Sequence, residues 1–231
     1  MPLANNIHEL RERVLLEMTA TWHYFEDSRQ VWRVVHHVAE GEPVAIRNRS
    51  TGAILSADEI EQLAQGYVRE YLTVSTFQQF LASFEDFIFG VIRLWLLRFP
   101  ERLGKKQIFA ADVFAAPDLD SIKRELVDRE VGDLRYRKVK DWFIYLESMV
   151  KLGCPSSDEI NQLAEAKVSR DVLVHNRGIA NTIYEEKAGD LKRFNAGERI
   201  EIPEAYHLSV WELLRKVITD VADAAISRAP E

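Results

Sequence analysis

One cysteine, Cys154, is the only thiol among 231 residues. A lone cysteine excludes an internal disulfide framework and any zinc site built from cysteines, and it fits a reducing cytosol, so a cytoplasmic location is expected. Glycine and proline are scarce, 10 and 7; beside abundant Leu, Glu, Ala and Arg this favours helix over sheet. Long hydrophobic runs are missing as well. The most apolar stretch, FIFGVIRLWLL (residues 87–97), is too short to span a bilayer and carries Arg93 within it. The opening MPLANNIHELRERV lacks the apolar centre of a signal peptide. No membrane association is expected. Positive charge is in deficit, with Lys and Arg at 30 against Asp and Glu at 37. That balance argues against a chain-wide nucleic-acid footprint but permits a local basic patch, because binding follows the field at the site.

Hydrophobic residues make up 47% of the chain, enough to exclude disorder and to predict a helical domain over residues 1–231. Residues 5–39 show helical spacing, as one long helix or as two broken near Asp27 and Ser28, ended by EGEP (residues 40–43). VAIRNRSTGAIL (residues 44–55) alternates around Asn48 and Gly52, which predicts a small β-hairpin. SADE (residues 56–59) has the spacing of a capping box and opens a helix to about Tyr71. A strongly apolar helix is expected over residues 75–98, with Phe77, Phe80, Leu81, Phe84, Phe87, Val91 and Trp95 on one face. GKKQIFAADVFAAP (residues 104–117) reads as a loop packed on the core through Ile108, Phe109, Val113 and Phe114. Further helices are expected over 118–131, 136–151, 157–176 and 203–227. An irregular polar stretch follows Gly178, with a strand-like ERIEI before the last helix. The fold class is all-α with a small β-hairpin insertion.

The helix over 157–176 carries polar groups where core belongs. Ser156 or Ser157 can cap its start, Asp158 and Glu159 suit its positive end, and Gly178 suits its stop. At about 100° per residue, Ile160, Leu163, Ala164, Val168 and Val174 define an inward stripe. Asp171 and His175 fall within that stripe and Arg170 lies on its edge. Unpaired buried charge costs several kcal/mol, so such residues are either paired or functional. Arg170 and His175 are five apart, so one helix aims them at different places. A second helix related by a two-fold axis would bring one chain's Arg170 near the other's His175. The competing explanation is a structural ion-pair network. A metal site is disfavoured: His36 and His37 are adjacent and face different ways, and no His-x3-His with acid partners occurs.

The stretch Arg170-Asp171-Val172-Leu173-Val174-His175 resembles the Arg-x4–6-His motif of the HEPN family, helical domains of prokaryotes and higher eukaryotes. That family places a polar residue (Asn, Asp or His) after the arginine, where this chain has Asp171. The continuation HNRGIANTIYEEKAG and the upstream FLASFEDFIFGVIRLWLLRFPERL are similar to stand-alone prokaryotic members. The resemblance covers residues 75–226 and leaves residues 1–72 outside it. The same loose spacing recurs from Arg29 to His36, so the context distinguishes the motif and the spacing alone does not. The resemblance implies a HEPN-like bundle acting as a homodimeric, metal-independent endoribonuclease without cofactors, in a toxin–antitoxin pair, phage defence or stress response. An antitoxin protein is then a possible partner.

The residue types suit that chemistry. An imidazole such as His175 can take the proton of an RNA 2′-hydroxyl near neutral pH, and the planar guanidinium of Arg170 can stabilise the pentacoordinate phosphate. Asp171 and Asn176 are candidate supporting residues, orienting the ring or the phosphate. Lys167, Arg177 and Lys187, with Lys192 and Arg193, surround the motif in sequence. Arg135 and Lys138 lie in DLRYRKVKDWF (residues 133–143), where cations interleave with Tyr136 and Trp142 in a pattern suited to RNA or to an ordinary core helix with a solvated face. Two other functions stay open. One is a catalytically silent HEPN-type module binding nucleotide, RNA or protein. The other is a helical scaffold, in which Arg170 and His175 would lie in solvent or be tied to remote partners.

Overall fold

The computed structural model describes residues 2–41, 44–104 and 107–230, and the structural statements below concern these residues. The helices, in order, are α1 (Leu3–Gly41), α2 (Ala57–Gly66), α3 (Thr73–Arg98), α4 (Ala110–Ala115), α5 (Leu119–Arg135), α6 (Val139–Val150), α7 (Ser157–His175), α8 (Thr182–Ala188) and α9 (Glu204–Arg228). The architecture is all-helical. Among the described residues no helix is long and apolar enough to cross a membrane.

Helix α3 is the axis of the packing, with α1, α5, α7 and α9 around it. The reason is its composition: Phe77, Phe80, Phe84, Phe87 and Phe89 are all buried along it. Each contributes about 2 kcal/mol relative to exposure, well above an exposed ion pair. Gly90 leaves room for α1, since a Cβ there would meet Leu10 Cδ2 at 2.7 Å. One hydrophobic core runs from Leu3 to Ala225. Helices α6 and α8 pack on α7, which also contacts α3 and α9.

Helix α1 is unbroken past Asp27, yet its buried residues stop at Phe25. Its last turns leave Val31, Val34 and Val38 exposed. It ends at Gly41; Glu42 and Pro43 of the expected stop lie outside the described residues. Between α2 and α3 the chain does not break either. A π-helical turn, Tyr67–Leu72, joins them, with Thr73 Oγ1 donating to the Val68 carbonyl at 2.8 Å.

Three expectations need correction. The β-hairpin at residues 44–55 is not formed as strands: the Asn48–Gly52 turn exists, but one antiparallel bridge, Arg47 to Ile54, is all that follows it. These flanks have no further strand to pair with, and an isolated pair is marginal. The ERIEI stretch likewise makes one bridge, Arg199 to Ile179. Residues 104–117 are not packed on the core as a loop. Lys105 and Lys106 lie outside the described residues, and the rest includes the short helix α4, with Phe109 and Phe114 exposed, Val113 less so and Ile108 half-buried. Finally, the stretch after Gly178 is not wholly irregular. It contains α8, whose start is capped by the Asn181 side chain accepting from Tyr184 N at 2.9 Å.

Candidate functional site

Helix α7 begins as its sequence requires. Ser156 Oγ accepts from Glu159 N while Glu159 Oε2 accepts from Ser156 N at 2.7 Å, a complete capping box. It ends at His175, where Asn176 N and Gly178 N both donate to the Val172 carbonyl. Arg177 and Gly178 both take positive φ, 53° and 75°. Glycine tolerates that conformation and makes Gly178 the natural stop. Ile200 N then donates to Gly178 O at 2.7 Å and Ala180 N to Glu198 O at 2.8 Å, so the segment carrying ERIEI clamps the chain just beyond the motif.

The inward face of α7 is broader than the apolar spacing indicates. Leu163, Ala166, Val168 and Val172 are buried together with Glu165 and Ser169, whereas Val174 is 48% exposed. The expected stripe through Val174 is therefore rotated from the real one. Apolar residues alone define it poorly here, because two of the buried positions are polar. His175 is exposed, not inward, and it makes no hydrogen bond or ion pair with a described residue.

Arg170 and His175 are not brought together within one chain. The Arg170 guanidinium is paired with Glu85 of α3, and both side chains are only 17% exposed. Its Nε lies 3.4 Å from Asp171 Oδ1, without hydrogen-bond alignment. Asp171 is bound to Lys167 at 2.7 Å. It does not orient His175 but is held by Lys167, one turn earlier on the same face of the helix. Asn176 is engaged locally, its Nδ2 donating to the Ile179 carbonyl. This arrangement is common to half of a two-chain site and to a helical scaffold.

The candidate RNA-contacting residues divide. Lys138, Lys167 and Lys187 line one cleft of about 390 Å³ between α6 and α7, which also holds Asp171. Arg177 lies elsewhere, in a groove with Arg69, Arg199 and Pro203. Arg135 is not in the cleft: its guanidinium sits over the Phe89 ring, 4.8 Å from the centroid. Trp142 is core, with Nε1 donating to Leu134 O at 2.8 Å, while Tyr136 is 94% exposed.

Sequence reasoning missed a second polar cluster on the same helix. Glu165, almost fully covered, accepts from Ser169 Oγ at 2.8 Å, Arg193 Nε at 3.1 Å, Tyr184 Oη at 3.2 Å and Tyr206 Oη at 2.5 Å. The Arg193 guanidinium stacks on Tyr206, 3.4 Å from the ring centroid. Burial, together with the charge of Glu165, pushes the Tyr206 phenol far above its ordinary range, so it stays protonated and donates to Glu165. Every polar group finds a partner here, which identifies a brace tying α7 to α8, α9 and the loop between them. Arg193 thus belongs to this brace and not to an open basic patch.

Other candidates carry less. Burial raises the Cys154 thiol pKa, which makes it a poor nucleophile. His36 lies 3.6 Å from Glu61 and His37 3.3 Å from Glu40. Among the described residues no group of three or more His, Cys, Asp or Glu is placed to hold a metal ion. Comparison with family models, curated proteins and solved structures returns no match.

Proposed function

We propose that the chain is a metal-independent endoribonuclease of HEPN type, acting as a homodimer whose two α7 helices face one another across a cleft. The observation that carries this reading is the contrast at the two ends of the motif. Arg170 is anchored by Glu85 and Asp171. His175, one and a half turns on, is a free imidazole in the last turn of the helix, with the exposed apolar side chains Val174 and Ile179 beside it in the chain. An unengaged imidazole flanked by apolar surface suits a position that a second copy completes.

In the proposed reaction, His175 of one chain takes the proton of an RNA 2′-hydroxyl. The 2′-oxygen attacks the adjacent phosphorus, a P–O2′ bond forms, and the P–O5′ bond breaks. The 5′-oxygen leaves with a proton from water. Arg170 neutralises charge on the phosphate oxygens as the trigonal bipyramid develops. The products are a 2′,3′-cyclic phosphate and a 5′-hydroxyl. Asp171, through Lys167 and Arg170, is a positioning residue in this scheme. Toxin–antitoxin, phage-defence or stress-response settings, with an antitoxin as partner, follow from the resemblance alone.

The direct test is incubation of the purified chain with RNA in excess chelator, with the ends of the products identified. Cyclic phosphate ends, and their loss in His175→Ala at unchanged folding, support the proposal; DNA cut as readily, or activity abolished by chelator, sinks it. A second reading is favoured by the Arg170–Glu85 pair itself. If that guanidinium is fully committed to Glu85, the chain is a silent HEPN-type module that binds nucleotide, RNA or protein, and the native chain leaves RNA intact.

A further inference from the structure

The end of α1 carries apolar side chains on the side turned away from the core. Phe25, Arg29, Trp32 and His36 share the inner side: Phe25 is buried, Arg29 pairs with Glu204 at 2.6 Å, the Trp32 ring lies 5.7 Å from that of Tyr67, and His36 lies 3.6 Å from Glu61. At about 100° per residue, Tyr24, Asp27, Val31, Val34 and Val38 fall together on the far side. Their spacing alternates between three and four, the pattern of a helix that meets another helix along one seam. Tyr24, Val31, Val34 and Val38 are 47–62% exposed. Before Tyr24 the same register reads Arg13, Glu17 and Ala20, the first two paired at 3.0 Å, so the apolar seam belongs to the end of the helix alone.

Charge selects the occupant and its direction. The residues bordering the seam, His23, Ser28, Gln30, Val35 and His37, include no Lys, Arg, Asp or Glu, so a second copy meets no like charge at the borders. Within the seam Asp27 is the one charged side chain, and it makes no ion pair or hydrogen bond with a described residue. Parallel copies would set one Asp27 against the other, and so would antiparallel copies centred on that residue. Antiparallel copies centred between Val31 and Val34 set Asp27 beside Val38 and His37 of the other copy, where an imidazole can donate to it. The seam and its borders then cover roughly 500 Å² per copy, about 1,000 Å² together, at the lower end of specific interfaces.

We propose that the end of α1 is a self-association surface on which a second copy of the chain lies antiparallel, Val31 against Val34. This contact uses a different helix from the one that carries Arg170 and His175, and it does not depend on the cleavage reading or on a pairing of the α7 helices.

Sedimentation velocity of the full-length chain over a dilution series tests it. The native chain associates reversibly, and Val31→Glu with Val34→Glu halves the mass of the assembly: four chains become two if the α7 helices also pair, and two become one if they do not. Both positions are exposed and glutamate is a good helix former, so folding, checked by circular dichroism, is retained. Val174→Glu on α7 leaves the α1 pairing in place, so failure of the proposed α7 dimer is read separately. His37→Glu weakens the association by roughly tenfold or more, since it sets two carboxylates together, and Asp27→Lys added to it restores the association. Single cysteines in a Cys154→Ser chain report direction. A short bismaleimide joins two copies through Val34→Cys but not through Tyr24→Cys, whose two copies lie about 25 Å apart along the antiparallel pair. A native mass equal to that of the double glutamate variant, an association indifferent to His37→Glu, or cross-linking as ready through Tyr24→Cys as through Val34→Cys each overturns the inference.

Discussion

The Arg170 guanidinium and the Glu85 carboxylate form an ion pair across the α3–α7 contact, with most of both side chains covered. Lys167 approaches the same carboxylate at 3.9 Å, so Glu85 faces two cations from α7, both of which also lie near Asp171. Removing either partner leaves charge in a partly dry contact. We expect Arg170→Ala and Glu85→Gln each to cost about 1–3 kcal/mol, discounted from a fully buried pair for the water that still reaches them. The double variant should cost less than the sum, because the second change removes a charge already stranded. Urea unfolding of the four proteins measures this, and strict additivity would show that the pair is not coupled.

A site assembled from two chains makes a prediction that a site within one chain does not. Arg170→Ala and His175→Ala should each abolish RNA cleavage alone. Co-refolded in equal amounts, they should recover activity, since in the mixed dimer one of the two sites receives a native Arg170 from one chain and a native His175 from the other. Half of the dimers are then mixed with one good site each, giving about one quarter of native activity for a two-fold assembly. No recovery in a mixture shown to contain mixed dimers rules out the shared arrangement.

The parts of this fold that could be read in advance rest on local physics. Ser56 with Glu59, and Ser156 with Glu159, announce helix starts because the box is satisfied within four residues. The phenylalanine face of α3 is legible because its period is helical over many turns. What stayed hidden depends on partners remote in sequence. Glu85 is a charge in a phenylalanine-rich helix, and its partner lies 85 positions away. Glu165 reads as a solvated glutamate until α8, α9 and Arg193 fold over it. Helix α8 was missed because seven residues bury only Tyr184 and Ala188, too few to show a period. The turn at Asn48 was legible; the absence of strands beside it was not, since alternation says nothing about whether a partner exists.

The brace around Glu165 should be the most sensitive polar feature of the molecule. Glu165 is covered on all sides, and Arg193 is the cation that compensates it. Arg193→Met keeps much of the packing on Tyr206 but leaves the carboxylate without a counter-charge, at an expected cost of about 3–5 kcal/mol. Glu165→Gln with Arg193→Met together should be milder than Arg193→Met alone, because no buried ion remains. Thermal unfolding of the three variants decides it. If Arg193→Met behaves like a surface change, the brace is not what holds α7 against α9.

His207 gives the fold a definite pH dependence. It is fully buried among Trp22, Phe25 and Phe80, and Thr76 Oγ1 lies 3.0 Å from its Nε2. Thr76 Oγ1 also lies 2.8 Å from the Leu72 carbonyl; with the hydroxyl proton given to that carbonyl, Nε2 carries the ring hydrogen, and Nδ1 is buried without a partner among the described residues. Burial first, and then the nearby charge of Arg29, against a smaller opposing effect of Glu204, push the imidazole down to about 4. The unfolded chain therefore takes up a proton at higher pH than the folded one. Stability from this group is complete above the ordinary imidazole value of 6.5 and declines as pH falls below it. The loss is complete only below the folded value, at about 3 kcal/mol. We expect urea unfolding to show a loss of about 1 kcal/mol between pH 7.5 and 5.5, before most carboxylates titrate. In His207→Leu that slope should flatten, whatever the variant's absolute stability. An unchanged slope would mean that His207 protonates as readily inside the fold as outside it, and that the aromatic pocket joining α1, α3 and α9 opens to water.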